Sequence, residues 1–355
     1  MPAISPASGP VVVTGASGYI GSWVVHDLAA QGYRVRACVR DVANPAKVDH
    51  LLAMNDGSLR GEVELFEADL FQDGSYDNAF AGCAAVIHTA APLGYNRETP
   101  QQTYDGCFTQ TQPIIDSTLK AGTVKRFVFT SSFAAVTYPC EDGYVFTERD
   151  WADEHPDAYG GAWTAENIPK NRGIAYKMSK CASERLLYET AEREGTFEAM
   201  GIMPAYVIGP VMCENHDQVQ SFQYWIKEMM KGNPYGKTPG GRMQWTNCDV
   251  RDVARAHRLC IESTVAGNGS RYIIGASELD GILFTWQMRE RLMELFPGVA
   301  EVGGEPMDDG KPAEPTSDTQ RAFVFLAMQE LGLKPYAIDD TLRDTVNSYY
   351  KIGLL

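Results

Sequence analysis

Two groups of residues in this chain have the types and spacing to do chemistry. The first is Gly15, Gly18 and Gly21, a G-x-x-G-x-x-G run directly after Val11, Val12 and Val13. The three valines read as a buried strand. Trp23, Val24, Val25, Leu28 and Ala29 then continue at helical spacing. Glycines at a strand-to-helix turn permit φ > 0 and let a pyrophosphate approach the backbone. The open N–H groups and dipole of the first helical turn hold the anion. A plain tight turn is the structural alternative, but the strand before and the helix after favour dinucleotide binding. The second group is Tyr176 and Lys180, four residues apart and so on one face of a helix. The spacing alone is weak, because roughly 0.6 such pairs arise by chance in a chain of this composition. It is the only Tyr-x-x-x-Lys pair here, and it follows a predicted strand ending in Thr130-Ser131-Ser132.

These groups need a scaffold, and the apolar pattern supplies one. After the first helix, strands are predicted at Tyr33 to Val39, Val63 to Phe66, Ala84 to His88 and Phe127 to Thr130. Further strands are predicted at Met200 to Ile208 and Tyr272 to Ile274, with helical segments between. This β-α-β alternation predicts an α/β fold, a Rossmann-type doubly wound parallel sheet covered on both faces. Ligands of such sheets bind at the carboxyl ends of the strands. The stretch from Tyr138 to Gly173 breaks the rhythm and reads as a long loop over the site. Strand-helix alternation also stops from Gly209 and again from about Leu279. The predicted division is a dinucleotide-binding core at 10–208, rejoined by 243–278. A smaller, mostly helical C-terminal substrate lobe then comprises 209–242 and 279–355. Gly303 to Thr316 reads as a polar, turn-rich loop.

Composition narrows the partners. The formal charge of −15 argues against nucleic acid or an anionic membrane surface. No stretch reaches the length of about 20 apolar residues that a membrane helix needs. The first ten residues carry no basic cluster or apolar run, so no signal peptide is expected. The eight cysteines show no C-x-x-C, and the six histidines no ligand spacing, so no metal site is expected. Reduced thiols in a cytoplasmic protein fit this usage.

The motifs together resemble the extended short-chain dehydrogenase/reductase family. The matching stretches are TGASGYIG, Asp69-Leu70, His88 to Pro92, Phe129 to Ser132, Tyr176 to Lys180 and Met203 to Pro210. Gly21-Ser22-Trp23 and the run from Val35 to Asp41 are similar to the branch of dihydroflavonol reductases, cinnamoyl-CoA reductases and fungal carbonyl (aldehyde) reductases. The resemblance covers residues 10 to about 275. One departure is Gln110-Thr111-Gln112-Pro113, where relatives carry Gly-Thr-x-Asn. Proline is best tolerated in a helix's first turn, so that helix should start late.

The resemblance implies a catalytic Ser132, Tyr176 and Lys180, with Ser131 the alternative to Ser132. Hydride transfer builds charge on a carbonyl oxygen, which needs a hydroxyl donor and an acid. An ammonium beside a tyrosine favours the phenolate and makes it a better acid-base partner near neutrality. The implied cofactor is NADP (NADPH). Val39 stands where epimerases place an acidic residue on the ribose hydroxyls, whereas Arg40 matches the arginine that grips the 2′-phosphate, with Lys47 assisting. The resemblance places Gly15, Ser17, Gly18, Tyr19 and Ile20 at the turn and Asp69 and Leu70 at the adenine. It places Thr89, Ala90, Ala91 and Thr130 along the strand ends, Pro204 and Val207 at the nicotinamide, and Tyr176 and Lys180 on the cofactor as well, with Lys180 holding the nicotinamide ribose. Leu93, Phe133, Tyr206 and Trp225 are candidate substrate contacts. The expected partner is a small carbonyl compound, apolar or aromatic, and the chain a monomer or homodimer. A sugar-nucleotide epimerase or dehydratase is the alternative on this fold. Dehydratases place Asp-Glu after the catalytic hydroxyl, and here Phe133-Ala134 follows.

Overall fold

The computed structural model describes residues 3–91, 99–141, 143–159, 171–219, 221–233, 244–299, 302–303 and 321–355. The first half runs β1 (Val11–Thr14), α1 (Tyr19–Ala30), β2 (Arg34–Val39), α2 (Pro45–Leu52), β3 (Glu62–Glu67), α3 (Asp77–Phe80) and β4 (Ala85–His88). It continues with α4 (Pro100–Phe108), α5 (Thr111–Ala121), β5 (Arg126–Thr130), β6 (Val145–Phe146) and α6 (Arg172–Glu194). Then come β7 (Glu198–Pro204), β8 (Tyr206–Ile208), α7 (Phe222–Met230), β9 (Gln244–Asp249), α8 (Val250–Glu262) and β10 (Ser270–Ile274). The chain ends with β11 (Ile282–Phe284), α9 (Thr285–Leu295), β12 (Arg321–Ala322), α10 (Phe325–Leu331) and α11 (Ile338–Lys351).

Seven parallel strands form the main sheet in the order β3-β2-β1-β4-β5-β7-β10. This is the doubly wound fold, and its order reverses between β1 and β4. Both faces are covered, so the strands read as apolar runs rather than alternations. Val11 and Val13 pack with Val24, Leu28 and Val253 on one face. Val12 packs with Phe80, Ile114 and Leu187 on the other. None of the eight cysteines, all within the described residues, forms a disulfide. No helix of the described residues is long and apolar enough to cross a membrane.

The run predicted as a sixth strand, Met200 to Ile208, is two strands in two sheets. The ladder with β5 ends at Ile202, and Pro204 has no N–H to carry it on. The chain then turns out, and β8 pairs with β9 in a three-stranded sheet β11-β9-β8. This small sheet and α7, α9 and α11 enclose a separate core of Ile208, Ile226, Met229, Trp245, Leu292 and Leu342. Thus β9, assigned to the main core by sequence, lies in the lobe. Conversely α10, assigned to the lobe, packs Ala327 and Leu331 into the main core. The Tyr138–Gly173 stretch contains β6, which pairs with β12, and two short 3-10 turns. Residues 160–170 of it, and most of the Gly303 to Thr316 loop, lie outside the described residues. Pro113 falls in the first turn of α5, where its missing N–H leaves no helical bond unmade.

Candidate active site

The glycine loop joins β1 to α1. Gly15 has φ 68°, and a Cβ there would lie 2.7 Å from the Ala90 Cα. A Cβ on Gly21 would lie 2.2 Å from the Gly15 carbonyl oxygen. Both positions therefore exclude any side chain. Gly18 caps α1 with no side-chain bond. The first helical bond runs from the Ser22 N–H to the Gly18 carbonyl at 2.8 Å. The N–H groups ahead of it have no intrahelical acceptor, the condition under which a helix start can take an anion.

A cleft of about 820 Å³ opens from this loop along the ends of β2 and β3. Gly15, Ser17, Gly18, Arg40, Lys47, Asp69, Leu70, Thr89, Ala90 and Ala91 all line it. Among the described residues, neither Arg40 nor Lys47 has a carboxylate within ion-pair reach. Asp41 is turned into its own loop, where Oδ1 accepts the Ala43 N–H at 3.0 Å. Val39 is buried and offers no acceptor.

A second cavity of about 660 Å³ shares Gly15, Gly18, Thr89 and Ala91 with the first. Ser132, Tyr176, Lys180, Thr130, Tyr19, Ile20, Pro204 and Val207 line it. Helix α6 holds the pair. Asn171 Oδ1 caps it by accepting the Gly173 and Ile174 N–H groups, and Gly195 ends it at φ 62°. Lys180 is 4% exposed, and its ammonium donates to the Thr130 carbonyl at 3.0 Å. It lies 4.8 Å from the Phe129 ring centroid and 5.9 Å from that of Tyr176. Burial lowers the Lys180 pKa, against the pull of Cys107 and Glu184.

The two serines have different roles in the packing. The Ser131 hydroxyl donates to Glu184, which is fully buried and paired with Arg271 at 2.8 Å. The Ser132 Oγ instead accepts the Ala134 N–H at 3.1 Å, which leaves its proton available to a ligand. The candidate substrate residues fare differently. Phe133 is buried against Phe146, with ring centroids 5.8 Å apart. Tyr206 packs on Phe222 at 4.6 Å, and Trp225 lies against the lobe core. None of the three lines the cavity, because each has its own core to bury in. Leu93 lies outside the described residues. The cavity wall is completed by Thr103, Cys107, Arg172, Ser221, Phe222 and Gln223. Arg172 had a legible signal, since it precedes Tyr176 by one helical turn.

Two histidines brace the strand ends as neutral rings. His88 Nδ1 lies 2.7 Å from Thr14 Oγ1, and His257 Nε2 lies 2.7 Å from Thr130 Oγ1. Burial lowers their pKa values to about 3 and about 4. Released by unfolding, these rings protonate near the ordinary histidine value of about 6.5. Their contribution is therefore complete above that pH and declines as pH falls towards 4. The melting temperature should drop on acidification through this window, and less steeply in His257→Gln. A variant melting curve series as pH-sensitive as the parent's would refute this role for His257.

The comparisons agree with this geometry. The family model described as "NAD dependent epimerase/dehydratase family" matches residues 11–275. Cinnamoyl-CoA reductase CAD2 of Medicago truncatula is 30% identical over 342 residues, 95% of this chain and 94% of that protein. Dihydroflavonol 4-reductase of Arabidopsis thaliana is 38% identical over 207 residues, 56% of this chain and 50% of that protein. The crystal structure of Gre2 from Candida albicans, in complex with NADPH, has the same fold. Its TM-score is 0.79 at 22% identity, covering 97% of this chain and 99% of that one. With three quarters of its length matched and a relative aligned nearly end to end, the chain belongs to the NAD dependent epimerase/dehydratase family.

Proposed function

We propose that the chain is an NADPH-dependent reductase that converts an aldehyde or ketone to an alcohol. One observation carries the reading: Ser132, Tyr176 and Lys180 converge on a cavity continuous with a cleft that Arg40 lines, without an ion-pair partner among the described residues. The cleft fits the cofactor. Gly15 and Gly21 leave room that a Cβ would fill, the α1 head offers N–H groups, and Arg40 and Lys47 suit a phosphate. NADPH bound there supplies a hydride to the carbonyl carbon. Tyr176 donates its proton to the carbonyl oxygen as charge builds on it. Ser132 donates a hydrogen bond to the same oxygen. The Lys180 ammonium, held by the Thr130 carbonyl, stabilises the phenolate that remains. The reductase names of the two curated relatives support the same chemistry.

The lobe favours an apolar carbonyl compound over a nucleotide sugar. A diphosphate needs cations, and between Pro210 and Gly241 the sequence supplies Lys227, Lys231 and Lys237, the last outside the described residues. Lys227 is buried and paired with Asp217 and with Glu228 at 3.4 Å, and Lys231 also faces Glu228. Ile20, Pro204, Val207 and Phe222 offer apolar wall instead. A reductase must release and reload its cofactor, whereas an epimerase keeps NAD bound through its cycle. The purified protein should therefore carry no NAD, and should consume NADPH stoichiometrically with alcohol formed from a panel of aldehydes and ketones. Bound NAD, with a nucleotide sugar epimerised and no net change in NADPH absorbance, would establish the epimerase instead.

A further inference from the structure

Behind the glycine loop, three side chains from separate segments meet. His50 comes from α2, and Cys213 and His216 from the turn that follows β8. One potential ligand atom of each lies within 4.8 Å of the others. His216 is buried, and His50 and Cys213 are half-buried. Ser22, in the first turn of α1, donates its hydroxyl proton to the Ala16 carbonyl at 2.9 Å. Its oxygen faces His50 Nε2 at 2.8 Å and His216 Nε2 at 3.2 Å. With the serine proton committed, both rings turn an Nε2–H towards it. His50 Nδ1 is then a buried acceptor with no hydrogen-bond partner. The His216 N–H donates to the Cys213 carbonyl at 3.1 Å, closing the turn that brings the two side chains together.

We propose that His50, Cys213 and His216 form a zinc site with an open fourth position. Two imidazoles and one thiolate are a donor set for zinc and similar borderline-soft metals, whereas magnesium and calcium take oxygen. Tetrahedral zinc bonds of about 2.0–2.3 Å place ligand atoms about 3.3–3.7 Å apart. The two half-buried side chains need only a small inward turn to reach that spacing. Binding forms two Zn–N bonds and one Zn–S bond. The Cys213 proton leaves to solvent, so one proton is released per metal. Each imidazole stays neutral, keeps its Nε2–H on Ser22 and offers the unprotonated Nδ1 to the metal. For His50 that nitrogen is the partnerless one. For His216 the metal displaces the long 3.3 Å contact from the Met212 N–H. Lys47 lies near enough to act on Cys213 and His216. Its charge favours the thiolate and opposes the metal, which limits the affinity. Such a site would tie α2 to the segment entering the lobe, directly beneath the α1 turn.

The test uses metal-stripped full-length protein titrated with Co²⁺, then with Zn²⁺. One Co²⁺ per chain should bind with a thiolate-to-cobalt charge-transfer band and tetrahedral visible bands, all bleached by an equivalent of Zn²⁺. Cys213→Ser should lose the charge-transfer band, and His50→Gln should weaken binding by about tenfold or more. Zinc should raise the melting temperature of the parent protein but not of Cys213→Ser, and the same melts establish that each variant is folded. No sulfur band in the parent, or a band or zinc-dependent melt that survives in Cys213→Ser, overturns the proposal and places the metal elsewhere.

Discussion

Tyr176→Phe should reduce turnover by about 10²–10⁴-fold, the usual contribution of a positioned general acid. Cofactor affinity should stay within about threefold, because the substitution removes one oxygen and leaves the ring where it packs. The geometry makes this separation readable. Tyr176 stands on α6, which Asn171 caps and which packs against α4. Lys180→Ala should behave differently. Its ammonium faces both the Thr130 carbonyl and the Tyr176 ring, so both turnover and cofactor affinity should fall. Ser132→Ala should resemble Tyr176→Phe, with turnover reduced and cofactor affinity kept. Ser131→Ala strips a buried partner from Glu184, so it should lower the melting temperature. Single-turnover rates and cofactor titrations of the four variants check this ordering. Rapid reduction by Tyr176→Phe would mean that another group delivers the proton.

The glycine loop was legible because its chemistry is local. Gly15 needs φ > 0 and a close neighbour, and both demands leave glycine as the only residue. Tyr176 and Lys180 were legible because helical geometry alone puts them on one face. Other features depend on partners far away in the chain. Ser131 and Ser132 carry the same hydroxyl, and the distinction between them comes from Glu184 on α6. Lys227 carries a charge that the sequence leaves without a partner in view, and only the fold brings Asp217 to it. The run from Met200 to Ile208 is continuously apolar, and nothing in periodicity marks the change of sheet after Pro204. Phe133, Tyr206 and Trp225 lie near the expected pocket in sequence. An aromatic residue there is equally at home in a core, and each took that role. The His50, Cys213 and His216 cluster joins segments more than a hundred residues apart in the chain, so ligand spacing gave no sign of it.

Arg40→Ala should cost NADPH binding about tenfold or more and leave NADH binding nearly unchanged. The side chain stands at the end of β2, exposed, on the wall of the cleft beside Lys47. Its neighbours remove the usual competitors. Val39 presents no carboxylate for a bare ribose, and Asp41 is held by the Ala43 N–H in its own turn. A phosphate therefore meets two cations, neither of them ion-paired to a carboxylate among the described residues, in a cleft that Asp41 and Asp69 also line. Charge-assisted hydrogen bonds are worth about 1.5–3 kcal/mol. Exposure and salt screening put Arg40 at the lower end of that range. The parent protein should accordingly prefer NADPH over NADH by at least about tenfold, and the preference should shrink as ionic strength rises. Lys47→Ala should have a smaller effect in the same direction, since an ammonium binds phosphate as a point charge without the bidentate fork. Cofactor titrations at two salt concentrations measure all of this. Equal losses for NADPH and NADH in Arg40→Ala would mean that the arginine shapes the cleft instead of reading the phosphate. An unchanged preference would move the phosphate contact to Lys47.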